Sequence, residues 1–545
     1  MPAIKNVNVS HPFSDQKPGT SGLRKSTKKF LEKHYLEIFI ESILSSLHNV
    51  EGSTIIVGGD GRYGNDNAIK KIVQICSAHM VGKIIVPTRG LLSTPAASNL
   101  IRAYSAIGGI ILSASHNPGG IEGDFGVKLN VSNGGPAPEF LTEKIYTYSQ
   151  SLTSYKLIDV EIPNLKDEGS FTIHQTKLEI IDGVQSYVSL MEDIFDFDQI
   201  GDFLKNDFSI VFDAMNAVTG PYAKRIFVDR IGLSDQCLLN SEPMPDFGNL
   251  HPDPNLTYAN KLADLLLNKK LYSFGAACDG DGDRNMILGK GCFVNPSDSL
   301  AVITANTGLV PGYKKGISGV ARSMPTSMAV DVVAKELDIP CYETPTGWKF
   351  FGNLLDSGKI TICGEESFGT GSNHVREKDG LWAVLFWLQI LAQKKCSVTD
   401  LMQNHWLHFG RNYYTRHDYE SIPSEVAHQI YQDLENQLQK LNGSHFASSF
   451  ITQADNYSYV DPIDKSLSDK QGLRLVLDNG SRIILRLSGT GTKGSTLRLY
   501  FERPSKSQND LFLDPQIALK DLIIGIDHLL NIKQLTKMNI PTVIT

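Results

Sequence analysis

Two short stretches of the chain hold residue types that suit phosphate chemistry. Residues 113–118 (Ser-Ala-Ser-His-Asn-Pro) follow the apolar run Gly108–Leu112, so Ser115 and His116 lie on the loop that leaves a predicted strand. Residues 279–284 (Asp-Gly-Asp-Gly-Asp-Arg) alternate carboxylates with glycines. In an extended chain, residues i, i+2 and i+4 point to one side, so we expect the three aspartates to share a hard cation such as Mg²⁺. Together the two stretches predict phosphoryl transfer through a phosphoserine.

Two other interpretations of these stretches fit less well. An EF-hand would need Gly at its sixth position and Glu at its twelfth, where this chain has Arg284 and Lys290. A serine hydrolase would place Ser115 in a G-x-S-x-G elbow, which the local sequence lacks. Neighbouring residues on an extended loop also point apart, so His116 need not be the base for Ser115.

Several further loops resemble phosphate-binding or sugar-binding segments. Hydroxyls, glycines and cations occur together at 19–25, at 344–349 and at 486–492, and Arg498 follows on the next predicted strand. Such loops bind phosphate through backbone N–H groups and bidentate arginine contacts, although none has the Walker pattern. Residues 364–369 (Gly-Glu-Glu-Ser-Phe-Gly) place paired carboxylates between glycines. These carboxylates suit either general acid–base catalysis or hydrogen bonds to sugar hydroxyls, and the sequence leaves both open.

Length and composition limit the possible classes of protein. The chain has 545 residues, of which 41% are apolar and 20% charged, and its net charge is −7. It is too long for one core, and it has no basic character at the level of the whole chain that would indicate nucleic-acid binding. The seven cysteines form no CxxC pair, which indicates reduced thiols. We find neither a secretory signal nor a run of roughly 20 apolar residues, and we therefore expect a cytoplasmic protein without a membrane span.

The order of predicted elements indicates an α/β protein. Strands at 54–57, 83–86 and 109–112 alternate with a helix beginning at Asn65, and the pattern restarts with a strand at 208–212 followed by a helix at 213–226. A third unit contains a strand at 359–363 and a buried helix at 380–392. The C-terminal part differs, because strands at 473–477 and 482–487 flank Asp-Asn-Gly-Ser, a hairpin signal, and a helix is predicted at 516–530.

Seven ordered stretches, taken together, resemble the α-D-phosphohexomutase superfamily, most closely its phosphoglucomutases of the eukaryotic type. They are 18–25, 113–120, 123–130, 279–289, 343–353, 364–383 and 486–500. The departures are small: Ser113, Cys278 and Thr492 replace commoner residues, as do Ile121 and Glu122, and no proposed catalytic group is lost.

This resemblance implies four domains around a central cleft. Three related α/β domains with mixed sheets are followed by an α+β domain. We place the phosphoserine loop in 1–187, the metal-binding loop in 188–303, the sugar-binding loop in 304–404 and the phosphate-binding loop in 405–545.

The resemblance also assigns a role to each group of site residues. Phosphorylated Ser115 and the three aspartates would hold one Mg²⁺ per chain. The remaining assignments fall into three groups: reaction-centre residues Arg24, His116, Lys128 and Lys378; substrate-binding residues Arg284, Thr346, Gly347, Glu365, Ser367 and Lys378; and phosphate-binding residues Arg486, Ser488, Gly489, Thr490 and Arg498.

The implied activity is that of an isomerase that interconverts glucose 1-phosphate and glucose 6-phosphate. Glucose 1,6-bisphosphate would serve as intermediate and activator, and sugar phosphates would be the ligands. Two alternatives remain open: a sister enzyme on the same fold, such as a glucose 1,6-bisphosphate synthase or another phosphohexomutase or phosphopentomutase, and a non-catalytic scaffold or signalling protein. We expect a monomer, with a weak dimer as the alternative.

Overall fold

The computed structural model describes residues 3–19, 21–488, 494–507 and 510–545. The chain divides into two compact units. The first comprises Met1–Gly291, Gly308–Gly316 and Phe368–Lys395, and the second comprises Cys292–Thr307, Ile317–Ser367 and Cys396–Thr545.

A mixed sheet forms the framework of the first unit. Its strands lie in the order Leu23–Ser26, Asp124–Val131, Gly108–Leu112, Thr54–Gly59, Lys83–Pro87, Thr176–Ile181 and Gly169–Ile173. The central strands are parallel, and the strands towards each edge are antiparallel. Parallel neighbours need crossover connections, and the helices Asn65–Ala78 and Thr94–Ala103 provide two of them. The other long helices of this part of the chain are Tyr35–Ser46, Glu139–Ser149 and Gly183–Ile194. Ile4–Asn8 pairs separately with Ser154–Ile158.

A second sheet of this unit carries the aspartate-rich loop. Leu238–Leu239, Ile210–Asp213 and Phe274–Cys278 are parallel, and Asn285–Gly289 runs antiparallel to Phe274–Cys278. The loop at 279–284 is the connection between the last two strands. Further helical segments of the first unit are Thr27–Phe30, Phe197–Lys205, Thr219–Ala223, the π-helical Lys224–Arg230, Asn260–Ala263 and the π-helical Asp264–Asn268. Short 3₁₀ turns cover Thr88–Gly90, Asp235–Cys237, Phe247–Asn249 and Pro311–Tyr313.

The strand Gly369–Ser372 and the helix Gly380–Lys394 complete the first unit. The helix is apolar all round, and its Trp382 and Trp387 are fully buried. A helix of this kind is a core element rather than an amphipathic surface helix.

The second unit joins a parallel three-stranded sheet to a larger antiparallel sheet. The parallel strands are Cys341–Thr344, Val320–Ser323 and Ile362–Glu365. The antiparallel order is His445–Phe446, Ser449–Asn456, Leu473–Leu477, Arg482–Ser488, Ser495–Ser505, Arg411–Ile422 and Val543–Ile544. Other strands are Cys292–Val294 and the pair Tyr459–Val460 and Leu467–Ser468. The helices are Pro296–Ala305, Ala329–Glu336, Trp348–Asp356, Val398–Phe409, Ser424–Glu435, Leu438–Leu441, Pro515–Ala518, Lys520–Leu530 and Ile532–Thr536.

The predicted fold class is confirmed, because mixed α/β sheets precede an antiparallel C-terminal sheet with helices. Among the residues that the structure describes, no helix combines the length and the apolar character needed to cross a bilayer.

Three element boundaries from the sequence are wrong. The helix predicted at 213–226 begins only at Thr219, because Met215 and Asn216 have positive φ angles of 52° and form a turn. The strand predicted at 359–363 covers Ile362–Glu365. The helix predicted at 516–530 is interrupted at Leu519, whose φ of −105° and ψ of 5° are not helical.

Candidate functional site

Ser115 lies on a tightly held loop directly after the buried strand Gly108–Leu112. Its φ is +54°, a left-handed conformation that is uncommon for residues other than glycine. Its amide donates to Ser113 Oγ at 2.7 Å, and Arg62 donates to its carbonyl oxygen at 3.0 Å. Arg62 is itself fixed by a fully buried ion pair with Asp60. The backbone of Ser115 is therefore anchored, which fixes the direction of its hydroxyl.

The aspartate-rich loop is a tight turn and not the extended segment that the alternation predicted. Gly282 has φ +76°, and its amide donates to the carbonyl oxygen of Asp279 at 3.1 Å. The amides of Asp283 and Arg284 donate to Asp279 Oδ1 at 2.9 and 3.0 Å. The turn still brings the carboxylates of Asp279, Asp281 and Asp283 together, with ligand oxygens within 4.8 Å of one another. The predicted cluster is thus present, but it results from a tight turn and not from side chains that alternate along an extended segment.

The serine and the acidic cluster are in direct contact. Ser115 Oγ donates to Asp279 Oδ2 at 2.9 Å, and both side chains are buried. Gly280 makes this approach possible, because a Cβ at that position would lie 2.4 Å from the carbonyl oxygen of Ser115. A phosphate on Ser115 would therefore lie beside the three carboxylates.

Two lysines and one threonine surround the acidic cluster. Lys128 forms an ion pair with Asp281 and lies 3.9 Å from Asp283 Oδ2, while Lys378 Nζ lies 3.2 Å from the same Asp283 oxygen. Thr94 donates its hydroxyl to Asp281 Oδ2 at 2.6 Å. No sequence motif pointed to Thr94, which begins the helix Thr94–Ala103 after the N-cap Ser93.

The pKa shifts follow from this crowding of charge. Burial, together with the neighbouring Asp283 and Asp281, raises the pKa of Asp279 well above its usual range. Burial alone would raise the pKa of Asp281 too, but Lys128 outweighs it and holds that pKa low. Burial would lower the pKa of Lys128, yet the facing carboxylates raise it above its ordinary value. Lys128 therefore keeps its proton, and added positive charge near Asp279 would favour the ionised form of that carboxyl.

The acidic cluster fits a divalent cation on its own geometry. The second oxygens of Asp281 and Asp283 are buried and, within the described ranges, lack hydrogen-bond partners. Buried acceptors of this kind are costly unless a donor or a metal satisfies them. Three convergent carboxylates are the oxygen ligands that a hard cation prefers, so the cluster can bind a metal.

Cations also border the serine loop. Arg24 pairs across the sheet with Gly126, two residues before Lys128, and its buried Nε has no hydrogen-bond partner in the described part of the chain. Burial lowers the pKa of Arg24. Arg284 donates to Asp253 at 3.2 Å, and His116 Nδ1 lies 3.4 Å from Ser115 Oγ. The structure thus places Arg24 and His116, predicted for the reaction centre, and Arg284, predicted to bind substrate, close to the serine loop and the acidic cluster.

The predicted sugar-binding residues meet within the second unit. Glu365 ends the strand Ile362–Glu365 and is not in a loop, which corrects the prediction for residues 364–367. Its Oε1 accepts the amide of Gly347 at 3.0 Å, and the hydroxyl of Thr346 is buried without a hydrogen-bond partner in the described residues. Glu366 Oε2 instead accepts from the hydroxyls of Ser323 and Thr326 at 3.2 and 3.4 Å. The two glutamates therefore have different partners. Ser367 follows half-buried.

The predicted phosphate-binding arginines lie on neighbouring antiparallel strands. Arg486 is directly opposite Arg498, which is opposite Asp418, so the three share a row across the sheet. Arg498 Nε lies 3.5 Å and Arg416 Nε 3.1 Å from the carboxylate of Asp418. We call Arg416, Asp418, Arg486 and Arg498 the arginine cluster. The sequence did not single out Arg416 and Asp418, because only strand register brings them there.

Two residues of this prediction cannot be placed. Ser488 is the last residue of the strand Arg482–Ser488, whereas Gly489 and Thr490 lie outside the described residues.

Family models match most of the chain in sequence order. The models described as phosphoglucomutase/phosphomannomutase alpha/beta/alpha domains I, II and III match residues 15–156, 185–291 and 296–409. The model described as the phosphoglucomutase-1 C-terminal domain matches residues 411–542.

Curated relatives are similar over their full length. Phosphoglucomutase from Rhizobium radiobacter is 53% identical, with 99% of this chain and 100% of the relative covered. Phosphoglucomutase-1 from Homo sapiens is 48% identical over 99% of this chain and 100% of the relative.

Solved structures agree with this relationship. The open form of pp63/parafusin, a phosphoglucomutase from Paramecium, superposes with a TM-score of 0.92 at 46% identity and covers 100% of both chains. A family protein from Burkholderia thailandensis shares the fold alone, with a TM-score of 0.64 at 19% identity over 95% of this chain and 97% of that one. With matching models over four successive segments and full-length relatives near half identity, the chain belongs to the phosphoglucomutase family and has its four-domain fold.

Proposed function

We propose that Ser115 carries the phosphoryl group in the interconversion of glucose 1-phosphate and glucose 6-phosphate. The activity itself follows from family membership, so the chain is an isomerase of carbohydrate metabolism. The observation that supports the role of Ser115 is its 2.9 Å hydrogen bond to Asp279 inside the acidic cluster. A hydroxyl fixed beside three carboxylates suits phosphate that is shared with a metal.

Asp279, Asp281, Asp283 and the phosphate of Ser115 would hold one Mg²⁺. When bound, Mg²⁺ offsets the negative charge on the phosphoryl group that is transferred. The chain's own contribution is orientation: Arg62 fixes the serine backbone, and Thr94 and Lys128 fix Asp281.

Of the three candidate bases, Lys378, Lys128 and His116, we assign Lys378 to the sugar hydroxyl, from which it can take a proton only as the neutral amine. Lys128 pairs with Asp281, and the surrounding carboxylates raise its pKa, so it serves as a fixed positive charge. Lys378 lies at the edge of the cluster, 3.2 Å from Asp283. His116, 3.4 Å from Ser115 Oγ, is placed to return a proton to the serine oxygen after the phosphoryl group leaves. Arg24 and Arg284 would balance the charge of the phosphoryl group during transfer.

The second unit would supply sugar and phosphate recognition. We assign Glu365, Ser367, Thr346 and Gly347 to sugar hydroxyls. The buried hydroxyl of Thr346 has no hydrogen-bond partner among the described residues, which supports this assignment. Arg486 and Arg498, with Ser488, Gly489 and Thr490, would bind the phosphate that is not transferred. Arginines suit this role because the guanidinium group binds phosphate in a bidentate manner. Glucose 1,6-bisphosphate would reorient between the two transfer steps, so it is both intermediate and activator.

We further propose a cytoplasmic monomer that binds sugar phosphates and no nucleic acid. The net charge of −7 supports the exclusion of nucleic acid. Sedimentation analysis across a range of protein concentrations would distinguish the monomer from a weak dimer.

Phosphate transfer to Ser115 can be tested by intact mass. We expect the dephosphorylated protein to gain one phosphate after incubation with glucose 1,6-bisphosphate and Mg²⁺, mapped to Ser115 by peptide sequencing. Ser115→Ala should gain none and should lose mutase activity. Ser46→Ala is a matched control, because Ser46 is a buried serine whose hydroxyl donates only to a helical carbonyl. Full turnover in Ser115→Ala would falsify the phosphoserine assignment.

A further inference from the structure

Lys378 lies on a short loop, residues 373–379, between the strand Gly369–Ser372 and the helix Gly380–Lys394. Its Nζ is 3.2 Å from Asp283. Lysine has a long and flexible side chain, so the position of its amino group depends on how firmly its backbone is held. The contacts of the flanking residues therefore decide where this amino group lies.

Asp379, the next residue, is a buried hub of hydrogen bonds. Its side chain is fully buried. Oδ1 accepts from the Tyr187 hydroxyl at 2.6 Å and from the Trp382 amide at 3.1 Å, and Oδ2 pairs with His374 Nε2 at 3.0 Å. Tyr187 belongs to the helix Gly183–Ile194, so the hub ties the loop to a distant part of the first unit.

In the row of hydrogen bonds that joins Trp382, Tyr313, Ser372 and His374, the donor and the acceptor of each bond can be assigned. The indole N–H of Trp382 can only donate, and it donates to the Tyr313 hydroxyl at 2.9 Å. Tyr313 then donates to Ser372 Oγ, which donates to His374 Nδ1 at 2.7 Å. This order leaves the hydrogen of His374 on Nε2, where it donates to Asp379. The hydrogen bonds of Trp382, Tyr313, Ser372 and His374 are all satisfied only while Asp379 accepts the last of them.

The same loop is bonded to the aspartate-rich turn. The amide of Gly380 donates to the carbonyl oxygen of Gly282 at 3.1 Å, and the amide of Asp379 donates to Thr370 at 2.9 Å. A Cβ at position 380 would lie 2.2 Å from the carbonyl oxygen of Arg284. A shift of this loop would therefore be felt at the acidic cluster.

We propose that Asp379, braced by Tyr187 and His374, is a positioning residue that holds Lys378 against Asp283. This inference rests on the proposed function, because its kinetic consequence requires the mutase reaction. Asp379 does not reach Ser115 or the acidic oxygens in any hydrogen bond, so it acts through the loop.

Asp379→Asn tests the hub with the least change of shape. Asn caps a helix as well as Asp does, so the bond from the Trp382 amide should persist. The amide nitrogen would face the N–H of His374, however. If the hydrogen of His374 moved to Nδ1, His374 would donate to Ser372, and Ser372 would donate to Tyr313. The Tyr313 hydrogen would then lack an acceptor, because Trp382 can only donate. We expect kcat to fall by about 100-fold from misplacement of Lys378, with KM changed less than about twofold.

A second measurement reports on the loop without any catalysis. Hydrogen–deuterium exchange of the ligand-free protein should become faster in Asp379→Asn at the amides of residues 377–380. Asp213→Asn is the matched control, because Asp213 is also a buried carboxylate that accepts two hydrogen bonds, from the Met215 amide and Asn240, but has no link to this loop. It should leave both the exchange of residues 377–380 and kcat unchanged.

A double-mutant cycle separates positioning from general loss of structure. In a Lys378→Met background, adding Asp379→Asn should reduce kcat little further, because the lysine through which it acts is gone. If Asp379→Asn lowers kcat by the same factor in both backgrounds, or leaves the wild-type kcat and the exchange unchanged, the inference is overturned. Absence of mutase activity in the wild type would instead contradict the proposed function.

Discussion

The acidic cluster and the arginine cluster carry opposite charge and are built on different backbone structures. The first gathers three carboxylates on one turn, and Lys128 and Lys378 only partly offset them. The second gathers three arginines across three antiparallel strands, and Asp418 lies close to two of them, Arg416 and Arg498. An excess of buried negative charge calls for a cation, and an excess of buried positive charge calls for an anion. The comparison indicates that the acidic cluster suits a cation and the arginine cluster suits an anion.

The largest expected effect comes from weakening the acidic cluster. Asp281→Asn removes one carboxylate charge beside Lys128, so activity at saturating Mg²⁺ should fall by about 1000-fold or more. Titration of activity with Mg²⁺ measures the loss. Asp264→Asn, at an exposed ion pair with Lys269, is the control and should behave as wild type. Wild-type activity in Asp281→Asn would remove the cluster from the mechanism.

Weakening the arginine cluster should affect binding more than chemistry. Arg498→Met removes a charged donor that lies 3.5 Å from Asp418, so we expect kcat/KM to fall between tenfold and about 100-fold, mainly through KM. Steady-state kinetics with glucose 1-phosphate provide the measurement. Arg230→Met, at a surface pair with Glu192, is the matched control. A fall confined to kcat would place Arg498 in the transfer step instead.

A smaller effect is expected from a residue that supports the acidic cluster without carrying charge. Thr94→Val keeps the shape of the side chain but removes the 2.6 Å hydrogen bond to Asp281. We expect Mg²⁺ affinity to fall by about tenfold, the lower end for loss of a partner to a metal ligand. Isothermal titration calorimetry with Mg²⁺ tests this, and an unchanged affinity would show that Lys128 alone orients Asp281.

The smallest expected effect concerns the stability of the protein at mildly acidic pH. His405 is buried in the second unit, and burial lowers its pKa to about 4. The unfolded chain, with a histidine pKa of about 6.5, binds the proton more readily, so the free energy of unfolding should fall by about 1 kcal/mol between pH 7.5 and about pH 6. His405→Gln should lose this dependence in urea titrations. The same slope in both proteins would trace it to another group.

The sequence predicted the chemistry of the acidic cluster better than its conformation. Alternation suggested an extended loop, whereas the positive φ of Gly282 and the bonds to Asp279 Oδ1 form a turn. Spacing could identify the three carboxylates because they are close in the chain. Thr94, Lys128 and Lys378 reach the same point from three other segments, and only tertiary structure or a resemblance to relatives brings them together.

The same limit explains what the sequence missed elsewhere. Arg416 and Asp418 join the arginine cluster through the register of Arg411–Ile422 with Ser495–Ser505. The hairpin signal at 478–481 sets only the register of Leu473–Leu477 with Arg482–Ser488. The hub at Asp379 depends on Tyr187 and Tyr313, which are distant in the chain. Local patterns, by contrast, located the central strands of the first sheet and the hairpin, because those depend on neighbouring residues.

Gly280 sets the distance between the serine loop and the aspartate turn by having no side chain. Since a methyl group there would overlap the carbonyl oxygen of Ser115, even Ala would act as a wedge and push the two loops apart. Efforts to widen this enzyme's substrate range should therefore leave position 280 untouched.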